Sequence, residues 1–374
     1  KYPRKAGSAE RQGIPPAYAT ELQTVMNTLN DLNQSKVEWD CGTSGLGVLV
    51  SDSLMFQRGD PTPSDQHLSH VYGLALPLLK RGMPVTPVQL ENLTVSGYLE
   101  SFRVLLLTYQ GMKPLSPEVH APLVKWVQQG GALVVVDDDS DPCNSVREWW
   151  NAGGMSYRTP RMHLFEQFGS AASSLAPEGK PTKVGKGFVT WLRANPSQLA
   201  YNKEGDSIIS RTVKEAADAA RVKWRETDYL LLRRGPYLIA SGLDESVPCK
   251  PKVLNGRFVN LFDPELRVQT STTLTPGSRL FLLDLNSVRS GKGRVLASAC
   301  KTLPMKQEKN ASTFMVEGVP DTPAIVLIRA GKNAPRAISL AGQTLTDYTF
   351  SAEDRLLWVR FTNTSAPREL KVEF

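Results

Sequence analysis

The stretch that most constrains this sequence is a strand, helix, strand unit between residues 103 and 136. Arg103 to Tyr109 (RVLLLTY) is an apolar run of strand length, and Ser116-Pro117-Glu118 then opens a helix. Serine is a good cap and proline suits the first helical turn. Val119, Leu123, Trp126 and Val127 recur at helical spacing, Gly130-Gly131 stops the helix, and Ala132 to Val136 (ALVVV) reads as a second strand, parallel and buried on both faces. This is one βαβ unit of a doubly wound sheet. Ligands of such sheets bind beyond the carboxyl ends of the strands, and there the chain carries Asp137-Asp138-Asp139-Ser140-Asp141.

The flanking sequence extends the same layer. Gly47 to Ser53 (GVLVSDS) reads as the first strand, and Asp65 caps a helix bearing Leu68, Val71, Tyr72, Ala75, Leu76 and Leu79. Pro84 to Leu90 is a less regular strand. After a loop-rich region, Gly187 to Leu192 (GFVTWL) is a further strand, and a last helix runs from Asp206 through Ile209, Val213, Ala216 and Ala220. From Tyr229 onward the chain breaks into short apolar runs separated by Gly, Pro and Asn, the pattern of an all-β sandwich region. The expected division is 1–44, 45–223 and 224–374, the last either one sandwich or two subdomains, 224–305 and 311–374, joined near Lys306 to Asn310. After a Pro-rich, basic coil that runs to Ala17, Leu22, Val25, Met26, Leu29 and Leu32 form one face of a helix. A lone amphipathic helix needs a surface to lie on, so the expectation is that it closes a preceding domain upstream of Lys1.

Composition excludes several classes. With 374 residues, 41% of them hydrophobic and 22% charged, the chain can bury sizeable cores. The net charge of +7 is spread along the sequence, whereas nucleic-acid binding usually shows a concentrated basic stripe. Cys41, Cys143, Cys249 and Cys300 are far apart and form no CxxC pair, so packed free thiols are expected and no metal or other cofactor. No apolar run approaches the roughly 20 residues of a membrane span. The compartment is left open, since Asn-x-Ser/Thr triplets, at Asn92, Asn310 and Asn363 among others, occur near chance frequency.

Two crevice-edge segments are candidate sites. Asp138 and Asp139, with Arg147, Trp149 and Trp150 nearby, could hold Ca²⁺ or bond and stack on sugar rings; capping of a following helix by an acidic turn is the plainer account. Asp52, at the end of the first strand, and Phe56 and Arg58 just after it form the second candidate, against a loop folded over the sheet edge. His67 and His70 lie three apart on one helix without a third ligand at suitable spacing, and read as surface or interface residues. No GxGxxG or GxxxxGK[ST] follows a strand.

The strand order anticipated here is flavodoxin-like, and also that of class I glutamine amidotransferases. An active member needs a cysteine on a tight strand-to-helix elbow and a downstream His-x-Glu. Here Val136 is followed by aspartate, Cys143 sits in Asp-Pro-Cys-Asn, and His163 reads His-Leu-Phe, which excludes that activity. A helix, the strand GVLVSDS, the unit KPLSPEVHAPLVKWVQQGGALVVVDDD without a nucleophile and an all-β tail together resemble the carboxyl-terminal part of glycoside hydrolase family forty-two beta-galactosidases. The resemblance implies a catalytic (β/α)₈ barrel upstream, an amidotransferase-like trimerisation domain and a terminal β-domain. It implies a non-catalytic role in oligomer assembly, with carbohydrate as the parent enzyme's partner, and it transfers no catalytic residue. The alternatives are a stand-alone carbohydrate-binding or protein-interaction module, and an enzyme using the crevice carboxylates directly.

Overall fold

The computed structural model describes residues 7–9, 15–32, 36–56, 65–288 and 291–374. The chain forms two units, one of Trp39–Leu230 with Gly242–Pro251, the other of Lys1–Glu38, Leu231–Ser241 and Lys252–Phe374.

The first unit is an α/β layer. Its strands are β1 (Leu46–Val50), β2 (Val85–Gln89), β3 (Val104–Leu107), β4 (Ala132–Val136), β5 (Glu178–Val184) and β6 (Gly187–Leu192), in the order β2-β1-β3-β4-β6-β5. All neighbours pair in parallel except β5 and β6, which form an antiparallel edge. Successive side chains of a strand point to opposite faces, and both faces are covered here. Leu105, Leu107, Leu133 and Val135 pack with Leu123, Val124 and Val127 of helix His120–Gln128. Leu106, Val134 and Val136 pack on the other side with Leu74 and Leu78 of helix Asp65–Leu79 and with Ile209, Val213 and Ala216 of helix Gly205–Ala219. Coverage on both sides is why β3 and β4 are uninterrupted apolar runs.

Two elements of this unit lie where a loop-rich region is expected. Helix Pro160–Glu166 starts at Thr159, whose side chain accepts from the Met162 amide, with Pro160 at its first position. Strand β5 reads EGKPTKV; its proline and charges suit an edge, where one row of amides needs no partner.

The second unit stacks three antiparallel sheets. A six-stranded sheet includes Tyr237–Gly242, Arg279–Asp284, Lys252–Asn260 and Val268–Leu274. A four-stranded sheet runs Val295–Ser298, Pro323–Arg329, Leu356–Thr362, Tyr348–Ser351, and a five-stranded one begins Lys301–Gln307, Ala311–Glu317, Arg368–Glu373. The four-stranded sheet is the middle layer. Its Ile325, Leu327, Leu356 and Trp358 join a core with Phe281 and Leu283 of the first sheet, while Val326, Ile328, Leu357 and Val359 join one with Phe314 and Leu370 of the third. A sheet buried on both faces shows no alternation, which is why AIVLI and LLWV read as continuous apolar runs. The boundary expected near Lys306 to Asn310 is not one. Lys301–Gln307 and Ala311–Glu317 are the two arms of a hairpin, closed by the Glu308 amide on the Ala311 carbonyl at 2.8 Å.

The helix Pro16–Asp31 docks on this β-unit through its threonine face, with Val25 and Leu32 partly buried against the core. Thr20, Thr24 and Thr28 are buried with Ala19. The Thr24 and Thr28 hydroxyls donate back to the carbonyls of Thr20 and Thr24 at 2.9 and 2.8 Å, so their methyl groups can pack without leaving a polar atom unsatisfied. Thr20 Oγ1 also donates to the Pro323 carbonyl at 3.2 Å, and Asn27 Nδ2 to the Ser298 carbonyl at 2.9 Å. Leu22, Met26 and Leu29 stay exposed.

Candidate functional site

The carboxyl ends of β1, β2, β3 and β4 bring Ser51 to Ser53, Gln89 to Glu91, Thr108 to Gln110 and Asp137 to Asp141 to one edge of the α/β sheet. The acidic run there is bound up with protein donors. Asp137 Oδ2 accepts from the Tyr109 amide at 3.0 Å, and its Oδ1 from Gln110 Nε2 at 3.1 Å and the Asp139 amide at 2.7 Å. Burial raises the Asp137 carboxyl above its ordinary value despite these bonds. Asp138 accepts from Gln110 Nε2 at 2.7 Å and from the Ser140 amide at 3.0 Å. Asp139, at a φ of 62°, is gripped by Arg161, with Nε on Oδ1 at 3.0 Å and Nη2 on Oδ2. The Arg161 guanidinium in turn lies 4.2 Å from the Trp191 ring centroid.

Asp141 does the capping. Its Oδ1 accepts from the Cys143 amide at 2.8 Å at the head of the short turn Pro142–Ser145, and its Oδ2 takes the Gly111 amide at 2.8 Å and Lys113 Nζ at 2.7 Å. Burial works to raise the Asp141 carboxyl, yet the Lys113 ammonium and these bonds bring it below the ordinary range. The Cys143 thiol moves the other way. Burial first, and the Asp141 charge second, raise it, whereas a nucleophilic cysteine needs a depressed value.

The aromatic candidates separate. Trp150 is buried, with its indole N–H on the Asn144 carbonyl at 3.0 Å. Trp149 is half-buried, donates to the Pro114 carbonyl at 2.8 Å and meets Trp150 edge-on at 5.6 Å. These rings form a lid over their own unit, so Trp150 is corrected from a surface contact to a core residue: its polar atom found a carbonyl, and its ring left solvent. Arg147 is exposed and makes no hydrogen bond or ion pair with another described residue. Asp52 is exposed and accepts from Gln89 Nε2 at 2.8 Å. The side chain of Phe56, all of Arg58 and the side chain of His67 lie outside the described residues. His70 is half-buried, with Nδ1 lacking a partner, and burial lowers its pKa.

Several participants are missing from the sequence reading. Glu91 accepts from Ser51 Oγ at 2.7 Å and from Gln89 Nε2 at 2.5 Å; applying the strand-end rule to β2 would have found both. Beneath the lid, the Tyr109 hydroxyl meets His120 Nε2 at 2.6 Å, and His120 Nδ1 meets His163 Nδ1 at 2.7 Å. Burial, and secondarily His163, push His120 down to about 3, and burial lowers His163 too. A neutral pair can share one proton along that Nδ1 to Nδ1 bond; a second would face the first. Among the described residues no group of three His, Cys, Asp or Glu could hold a metal ion, and no helix is long and apolar enough to cross a membrane.

No protein-family model and no curated protein matches the sequence. Solved structures of glycoside hydrolases are similar to it. Gan42B, a GH42 beta-galactosidase from G. stearothermophilus, aligns with 64% of this chain at 13% identity and a TM-score of 0.36, using 40% of its own length. The apo exo-carrageenase GH42 from Bacteroides ovatus aligns with 88% at 9% identity and a TM-score of 0.27, using 29% of its length. Alpha-L-fucosidase isoenzyme 2 from Paenibacillus thiaminolyticus aligns with 91% at 11% identity and a TM-score of 0.29, using 49% of its length. The chain therefore spans less than half of each of these proteins. At such scores the functional reading rests on the geometry of the site.

Proposed function

We propose that this chain is a non-catalytic part of a carbohydrate-active enzyme, built to hold copies together at the carboxyl edge of its α/β unit. In this reading the unit is of the flavodoxin-like, amidotransferase-like type, and the place of a nucleophile after β4 has been given over to structure. The observation that carries the proposal is the state of Asp137, whose carboxylate is spent on the Tyr109 and Asp139 amides and on Gln110. Its neighbours are committed in the same way, which speaks against the crevice carboxylates acting as general acid and base. Glycoside hydrolysis commonly needs two free carboxyl groups flanking the scissile bond.

Assembly has separate support. Leu115 is 58% exposed and Val146 51% exposed, the first next to the carbonyl that Trp149 bonds and the second three residues before it. Met162 is exposed beside His163, whose ring lies 5.2 Å from Trp149. Exposed apolar side chains on the segments that meet a half-buried tryptophan match the composition of interface cores. The proposed assembly is a symmetric trimer, and light scattering on the purified chain tests it. At tens of micromolar the chain should run as an oligomer, and Leu115→Glu with Val146→Glu should return it to a monomer. A monomeric wild type refutes the assembly role, and turnover of aryl glycosides that is lost in Asp138→Asn refutes the non-catalytic one.

A further inference from the structure

The opposite, amino-terminal end of the parallel strands holds a groove of about 770 Å³ between the segment 93–103 and helix His120–Gln128. It opens where β3 and β4 begin, since Arg103 and Gly131 line it. Its volume is in the range of small-molecule sites, roughly 300–1,000 Å³.

Three half-buried rings, Tyr98, Phe102 and Trp126, form its walls, and each is fixed by its surroundings. The Tyr98 hydroxyl accepts from the Gln89 amide at 3.0 Å. Trp126 lies across Gly131 so closely that a Cβ there would come within 2.5 Å of its ring, and a Cβ on Gly47 would stand 3.0 Å from Phe102. The rings are thus held in place while part of their surface stays open. The rim is polar and unspent. Glu100, Arg103, Lys125 and Gln129 are exposed, and none of their side chains makes a hydrogen bond or ion pair with another described residue. The crevice carboxylates at the other end of the sheet show the opposite state.

We infer that this groove binds a short neutral oligosaccharide, with sugar faces stacked on Trp126 and Tyr98 and hydroxyls bonded by Glu100, Arg103, Lys125 and Gln129. Hydroxyl groups both donate and accept, so they use a carboxylate acceptor beside cationic and amide donors. A phosphate or sulfate would use the donors and be repelled by Glu100. Fixed aromatic rings favour binding because little side-chain freedom remains to be lost. The inference stands independently of the assembly role proposed for the other edge.

The test uses the whole chain, with maltohexaose, cellohexaose and a β-1,4-linked galactotetraose as probes, ATP as the counter-probe, and tryptophan fluorescence with calorimetry as readouts. At least one sugar should bind saturably. Trp126→Ala should weaken it by about tenfold or more, and the double variant Glu100→Gln with Lys125→Ala by several-fold, while Tyr201→Ala, exposed and outside the groove, leaves binding unchanged. Circular dichroism checks each fold. If Trp126→Ala does not fold, the exposed double variant decides, and unchanged binding there overturns the proposal. So does saturable binding by none of the three sugars up to about 10 mM, well above the range of specific complexes, or saturable binding of ATP alone.

Discussion

Acid should loosen the α/β unit, above all through one side chain, His120. In the fold it is held neutral, with its pKa pushed down to about 3 against an ordinary value of 6.5. A base whose pKa is depressed by folding contributes stability that is complete above its unfolded value and is lost as pH falls toward the folded one. Between pH 7.5 and 5.0 the unfolded chain takes up this proton and the folded one does not, which removes about 2 kcal/mol, rising to about 4 kcal/mol near pH 3. Typical domains have only roughly 5–15 kcal/mol in hand. His163 works in the same direction, being lowered by burial, whereas Asp137, raised by burial, works in the opposite one. The informative quantity is therefore a difference between proteins. Urea unfolding followed by tryptophan fluorescence reports on the right unit, because six of the seven tryptophans, all but Trp358, lie in it. His120→Gln should be less stable at pH 7.5 through lost packing, yet its stability should fall less with acid by about 2 kcal/mol between pH 7.5 and 5.0. Parallel curves for the wild type and the variant would refute the reasoning, as would a wild-type stability that stays flat across this interval while Asp137→Asn also leaves it flat.

The Lys113 to Asp141 pair is nearly inaccessible to water, so Lys113→Met should cost about 3–5 kcal/mol by stranding a buried carboxylate, and adding Asp141→Asn should recover part of that loss in the same urea assay. In the middle β-sheet, Ile325→Ala and Val326→Ala face different cores, and each should cost about 1–4 kcal/mol; a neutral effect of either would mean that one face is open. Met26→Ser, on the exposed side of the first helix, should stay within about 0.5 kcal/mol of wild type, while Thr24→Asp on its buried side should lower the midpoint of the β-unit measurably.

The α/β layer is legible in the sequence because its central strands are buried on both faces, so RVLLLTY and ALVVV carry no competing signal. The pieces that escape do so for local reasons. Strand β5 has the composition of a turn, and it pairs only because β6 offers an edge. Helix Pro160–Glu166 has seven residues, too few for a periodic pattern, although Thr159-Pro160 is a start signal. AIVLI is uninformative until a third sheet is known to exist. For the first helix, hydrophobicity finds only part of the buried side: Val25 and Leu32 pack on the β core, but Leu22, Met26 and Leu29 stay exposed, and threonines that bond backward to carbonyls are buried instead. At the crevice the strand-end rule finds the aspartates but cannot tell that they are saturated, and nothing joins His120 to His163 across 43 residues of sequence.

The docking of the first helix has a consequence for how the protein is made. Thr20 meets its carbonyl partner 303 residues later, at Pro323. On a ribosome, every residue of the α/β unit has emerged once Pro251 is through, and that sheet can seal early. Domains generally fold as units during synthesis, but this helix, which leaves the tunnel before the α/β unit does, has to wait until Ser298 and Pro323 follow it. Through that interval Leu22, Met26 and Leu29 and the threonine side face water together, and the helix is most open to chaperones and to proteases. A chain cut short after the α/β unit would carry the helix with no strand to receive it.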